Sequence, residues 1–219
     1  MKKRIMCFGD SLTWGWKPVE AVIPVERYAP DVRWTGVLAR QLGADYEIVE
    51  EGLSGRTTDL DDPLDPKLNG AAYLPAALAS HMPLDLVVIM LGTNDTKAYF
   101  HRSAVEIATA VGKLVGQVMA SGLNLDTVYP AARILVVAPP PLAEKISEPW
   151  VAEMFIGARD KSLALSKQLK NMTTFLKLPF FDAGQCIATE GVDGIHFSEH
   201  NNQVLGTALA RHIRNEVLA

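Results

Sequence analysis

A chain of 219 residues is long enough for one domain with a full core, and 48% hydrophobic content is ordinary for a globular protein. Its 21 Lys and Arg against 25 Asp and Glu give a formal net charge of −4 with no basic run, which argues against a nucleic-acid surface. No apolar stretch is long enough to span a bilayer, and Cys7 and Cys186 form neither a disulfide framework nor a zinc spacing. Lys2, Lys3 and Arg4 precede an apolar run, but that run breaks at Gly9-Asp10, too early for a secretory leader. The expected home is the reducing cytoplasm, with Cys7 a buried strand residue.

Lys3 to Cys7 reads as a first strand. Residues 14–33 hold Trp14, Trp16, Pro18, Pro24 and Pro30 without a clear period, which predicts a long loop. Trp34 to Leu42 reads as a helix closed by Gly43, and Tyr46 to Glu50 as the second strand. A Gly-containing turn, Glu51 to Thr58, and an acidic, proline-broken loop, Asp59 to Asn69, follow. A short helix is predicted over Ala71 to His81, and Leu84 to Leu91 is the strongest strand pattern in the chain. Ser103-Ala104-Val105-Glu106 has the form of a capping box opening a helix to about Ser121. After a loop over 122–132, Arg133 to Ala138 reads as a fourth buried strand, stopped by Pro139-Pro140-Pro141. A helix from about Glu148 to Leu176 is expected, with breaks expected at Gly157 or at Met172-Thr173-Thr174. Pro179 to Asp182 is a short last strand, Gly184 to His200 a loop, and Asn201 to Val217 the final helix.

Strands alternate with helices throughout, without repeats or linkers. That pattern implies right-handed crossovers and a five-stranded parallel sheet covered on both faces, in one domain over 1–219. Ligands of such sheets bind at the carboxyl ends of the strands. Four turns there carry chemistry: Ser11, Gly55, Asn94, and the pair Asp193 and His196.

A serine hydroxyl attacks only when a base removes its proton, and the base is commonly a histidine oriented by a carboxylate. Of five histidines, only His196 lies in a Gly-rich loop with an acid close by, Gly191-Val192-Asp193-Gly194-Ile195-His196. Asp193 can accept from one ring nitrogen while the other faces Ser11. The oxyanion formed on attack needs donors. The backbone N–H of Ser11, the backbone N–H of Gly55 and the amide of Asn94 are the candidates. Each element also has a plainer explanation: a strand end with a helix N-cap at Gly9-Asp10-Ser11, turn chemistry at Asn94-Asp95, or a hydrogen-bonded loop pair at Asp193 and His196. Their occurrence together on one rim favours chemistry.

Gly9-Asp10-Ser11-Leu12, Gly55, Gly92-Thr93-Asn94-Asp95 and Asp193-Gly194-Ile195-His196 resemble, in order, the four blocks of the GDSL/SGNH hydrolase superfamily. The stretches Cys7 to Trp16, Glu51 to Ser54, Leu91 to Lys97 and Pro179 to Gly184 are similar to its bacterial arylesterase/acyltransferase subgroup. The resemblance implies a flavodoxin-like α/β/α fold and hydrolysis of short acyl esters through an acyl-enzyme, with no metal and no organic cofactor. It makes Asp10 a structural neighbour of the nucleophile, while Asp95 reads as a turn ligand. It also implies higher homo-oligomers with loops narrowing the path to the site, and acyl transfer to alcohols as a companion activity.

Leu12, Trp16, Phe155, Ile195 and Val151 are candidate walls of a small apolar acyl pocket, and Lys97 is a candidate for its mouth or else a solvated lysine. Trp14, Trp34 and Trp150 read as core or loop anchors. Val22, Ile23, Val25, Leu123, Leu125 and Tyr129 suggest subunit contacts through the 16–33 and 122–132 loops. Two rivals stand beside the arylesterase: a carbohydrate acetylesterase, and a flavodoxin-like binding module without chemistry. The second rival needs a phosphate-binding loop that Asp10-Ser11-Leu12-Thr13-Trp14 does not supply.

Overall fold

In this computed structural model, which describes residues 2–18, 25–123, 128–189 and 193–218, the apolar runs pair into a parallel sheet. Its strands are β1 (Lys3–Gly9), β4 (Tyr46–Gly52), β5 (Leu86–Met90), β6 (Arg133–Ala138) and β7 (Phe180–Asp182), in the order β4-β1-β5-β6-β7. Two further strands, β2 (Trp16–Lys17) and β3 (Glu26–Arg27), form a small antiparallel pair. Counting only the strands of the main sheet gives the flavodoxin-like order 2-1-3-4-5, which reverses between β1 and β5. The register places Ile5 between Ile48 and Leu86.

Alternation along the strands sorts side chains to opposite faces. Met6, Phe8, Val87, Ile89 and Val136 enter one core, against α3 (Gly70–His81), α4 (Ala104–Ala120) and α6 (Ala158–Leu176). Ile5, Cys7, Val88, Met90 and Val137 enter the other, against α2 (Trp34–Leu42) and α7 (Glu199–His212). Both faces are therefore covered, which explains why β5 is apolar at all five positions. Cys7 is fully buried, and both cysteines are free thiols.

The capping box forms as its spacing predicts: Ser103 N–H donates to Glu106 Oε2 at 2.8 Å, and Glu106 N–H donates to Ser103 Oγ at 3.3 Å. Two stretches differ from expectation, whereas the long helix breaks at Gly157 as expected. A four-residue helix, α1 (Ser11–Trp14), follows β1 directly, and the loop over 14–33 contains the β2–β3 pair. The long helix divides into α5 (Pro149–Met154) and α6, separated at Gly157, whose φ is +70°. It does not break at 172–174, where Thr173 is buried and the Thr173 and Thr174 hydroxyls bond back to carbonyls of the preceding turn. The last helix turns π-helical over Ile213–Val217. Expectations for Val22, Ile23, Leu125 and Gly191, and for the side chain of Leu123, fall outside the described residues.

α2 and α7 bury the carboxyl-terminal end of the chain against the amino-terminal half. Trp34 N–H donates to Asn202 Oδ1 at 2.9 Å, and Gly206 lets the two backbones approach. A Cβ at position 206 would lie 2.5 Å from the Trp34 carbonyl oxygen and 2.6 Å from Val37 Cβ. Gly206→Ala should therefore lower unfolding free energy by about 1–3 kcal/mol, read from denaturant midpoints; an unchanged midpoint would mean the helices separate without strain.

Candidate active site

β1 ends at Gly9, and Asp10 then caps the helical turn that carries Ser11. The Asp10 carboxylate accepts from Leu12 N–H at 2.9 Å, so the cap is Asp10 and Ser11 is the first helical residue. Its other oxygen, Oδ2, is buried without a hydrogen-bond partner. Burial pushes the Asp10 carboxyl up to about 7, against the pull of the Leu12 N–H and with nearby Asp95 adding to the rise.

Ser11 Oγ lies 2.9 Å from His196 Nε2, and His196 Nδ1 lies 2.7 Å from Asp193 Oδ2. Asp193 Oδ1 accepts the backbone N–H groups of Ile195 and His196, each at 2.9 Å. Burial opposes the Asp193 charge, but the hydrogen bond to His196 and these two N–H groups outweigh it and hold the carboxyl below its usual range. Gly194 gives the turn its positive φ of +79°, and a Cβ there would meet the Lys145 carbonyl oxygen at 2.3 Å. The loop is docked by Ala143 N–H on the Gly194 carbonyl at 2.9 Å. The Trp16 indole stacks on the imidazole, centroids 4.8 Å apart and planes within 10°.

The opposite wall is made by the turns after β4 and β5. Gly55 has φ +86°. Asn94 Nδ2 donates one hydrogen to the Arg56 carbonyl at 3.1 Å, which leaves its second N–H to the cavity. The N–H groups of Ser11 and Gly55 have no protein acceptor among the described residues. Arg56 pins this turn: Nη1 donates to the carbonyls of Gly9, at 3.0 Å, and of Glu51, and the guanidinium packs 4.2 Å from the Phe8 ring centroid. Burial pulls its pKa down to about 10, still cationic at neutral pH. Asp95 is fully buried and faces away from chemistry, accepting from Thr58 N–H and the Thr58 hydroxyl with Arg102 3.7 Å away. Burial raises its carboxyl to about 6 despite those bonds.

Ser11, Gly55, Asn94, Asp193 and His196 meet at one cavity of about 170 Å³. Of the expected walls, Trp16, Val151, Phe155 and Ile195 line it. Leu12 does not: the α1 turn sends it into the core beside Trp34 and Leu205, at 3% exposure. Lys97 does not either. It is buried, its Nζ 3.2 Å from Asp62 Oδ2, because an amine removed from water needs a counter-charge, and Tyr99 O–H donates to the same oxygen at 3.1 Å. Trp34 is a core anchor, whereas Trp150 is half exposed and lines the cavity. Thr93, Ile146, Glu148 and Met154 also line it. Thr93 belongs to the Gly92-Thr93-Asn94-Asp95 turn after β5, and the signal for the other three was the triple proline ending β6, since the segment behind it, including α5, starts at the same carboxyl rim.

The fold and this arrangement define a serine hydrolase on a flavodoxin-like sheet. The profile of the GDSL-like lipase/acylhydrolase family matches residues 7–204, and the chain belongs to that family; it is a carboxylic ester hydrolase. The native M. smegmatis aryl esterase is 60% identical, with TM-score 0.95 over 97% of this chain and 98% of that one, and its inhibitor-bound form matches equally. A carbohydrate acetylesterase from Sinorhizobium meliloti is 56% identical, with TM-score 0.95 over 97% and 99% of the two chains. A carbohydrate acetylesterase family member from the same organism is 37% identical, with TM-score 0.88 over 97% of each chain. No curated protein matches the sequence significantly.

The buried Asp10 makes stability depend on pH. An unfolded aspartate ionises near about pH 4, whereas the folded carboxyl holds its proton to about 7. Across that window the unfolded chain has lost a proton the folded one keeps, so this residue's contribution falls as pH rises. Asp10→Asn should therefore compare more favourably with the native protein at about pH 8 than at about pH 5, by roughly 2–4 kcal/mol, in thermal or denaturant unfolding. A pH-independent difference would show that Asp10 is ionised throughout.

Proposed function

We propose that the chain, acting as one hydrolase domain over 1–219, cleaves short-chain acyl esters through an acyl-enzyme on Ser11. As Ser11 Oγ bonds to the carbonyl carbon, His196 Nε2 takes its proton. Asp193 holds the ring tautomer through Nδ1 and stabilises the imidazolium. The oxyanion is met by the N–H groups of Ser11 and Gly55 and by Asn94 Nδ2. The imidazolium proton then passes to the leaving alcohol oxygen as the ester C–O bond breaks. Water gives a proton to His196 while its oxygen attacks the acyl carbon, and Ser11 recovers its proton as the acid leaves. A second alcohol in place of water transfers the acyl group. The observation that carries this reading is the unbroken hydrogen-bonded series Asp193–His196–Ser11 opening on a cavity with unengaged N–H donors.

A cavity of about 170 Å³ with walls from Trp16, Val151, Phe155 and Ile195 favours an acetyl-sized acyl group. The carbohydrate acetylesterase at 56% identity supports a second reading, acetylated sugars as the natural esters. The free thiols Cys7 and Cys186 support a cytoplasmic home. Exposed Val25, Val128 and Tyr129 support a homo-oligomer through the 16–33 and 122–132 segments.

Ser11→Ala should abolish turnover of an aryl acetate while circular dichroism and melting stay native; retained turnover would exclude the mechanism. Asn94→Ala should reduce kcat by about 10²–10³-fold, with little change in KM. Comparing kcat/KM for acetylated xylan and an aryl acetate decides the leaving group, and a higher value on the polysaccharide would favour the acetylesterase reading.

A further inference from the structure

Apart from Asp193 and His196, the cavity lining carries one ionisable side chain, Glu148, and it contains no lysine or arginine among the described residues. Glu148 is half buried at the N-cap of α5, yet its side chain makes no capping hydrogen bond. Its carboxylate has no ion-pair partner among the described residues. Asp193 is different, since its two oxygens are taken by the imidazole and two backbone N–H groups. Lys97 is buried against Asp62, Arg159 donates to the Leu142 carbonyl at 2.7 Å, and Lys145 is exposed outside the lining.

Aromatic side chains share the cavity lining with Glu148. Trp150 follows it after one proline and is 53% exposed, and Trp16 and Phe155 complete the wall. Aromatic faces attract cations electrostatically. A carboxylate in a narrow, largely apolar cleft acts through a lower effective dielectric than one in open water, and the cleft focuses its field. An unpaired carboxylate beside aromatic rings is a poor arrangement for holding a neutral or anionic group and a good one for holding an ammonium.

Resting on the ester-hydrolase reading, we propose that the site selects its esters by charge, with Glu148 the specificity-determining residue: esters bearing an ammonium or quaternary ammonium substituent are taken in preference to neutral isosteres, and anionic esters are rejected. The selection lies in the substituent that reaches Glu148 and leaves the attack on the carbonyl unchanged.

The test uses a matched series: meta-trimethylammoniophenyl acetate, meta-tert-butylphenyl acetate and meta-carboxyphenyl acetate. Ratios of kcat/KM within each protein are compared between native enzyme and Glu148 variants, so differences in leaving-group reactivity cancel. Glu148→Gln should lower the cation-to-neutral ratio about five-fold and raise the anion-to-neutral ratio by a similar factor. Glu148→Lys should carry both ratios further in the same direction, and added salt should shrink the native preference. Ratios within about two-fold of native in both variants overturn the proposal. The neutral ester separates the two levels of failure. If Ser11→Ala loses turnover of it while the ratios do not move, only the charge selection falls; if Ser11→Ala retains turnover, the hydrolase mechanism falls and this inference with it.

Discussion

The hydrogen bond between His196 Nδ1 and Asp193, 2.7 Å long, is the constraint around which the site is built. It fixes which imidazole nitrogen carries a proton, and so leaves a lone pair on Nε2 toward Ser11. Asp193 can do this only while charged. Its depressed pKa means that the charge, and the stability it lends, is present above the ordinary aspartate range and is lost as pH falls through the lower folded value. The same carboxylate ties down its own loop through two backbone N–H groups, so ring orientation and loop shape are set by one group. Gly194 makes that turn possible, and Ala143 clamps it to the segment that supplies the cavity wall.

The facing half of the site is held by buried polar side chains bonded to its turns. Asp95 holds Thr58, Arg56 holds the carbonyls of Gly9 and Glu51, and Asn94 reaches the Arg56 carbonyl. These bonds join the turns after β1, β4 and β5 at the place where the strand order reverses. Buried polar groups are tolerated when they are satisfied. Here those bonds also fix the turns that carry the proposed oxyanion donors. Asp10 Oδ2, Arg56 Nε and Thr93 Oγ1 are buried there without a hydrogen-bond partner.

Much of this was legible from residue pattern alone. Apolar runs at β5 and β6, Gly43 after α2 and the Ser103/Glu106 box are local signals that local structure obeys. The small blocks around Ser11, Gly55, Asn94 and His196 were legible only as a set, because each alone has a plainer explanation and their occurrence on one rim singles them out. What escaped depended on distant partners. Leu12 turns into the core because Asp10 starts a helix one residue earlier than a strand-end loop would. Lys97 is buried because Asp62, 35 residues before it, supplies a counter-charge. Trp150, Glu148 and Met154 follow three prolines, where no period shows which side chains face the rim.

Ser11 and His196 are 185 residues apart in the chain yet share a hydrogen bond. No segment emerging early during synthesis can hold both. Both residues exist only once the chain has been made as far as His196, past every strand of the sheet, so on the proposed mechanism a shorter nascent chain carries an inert serine. Closure over so long a separation belongs among the slow, non-local steps of folding. On the proposed mechanism, recovery of hydrolysis during refolding reports the meeting of these two distant segments.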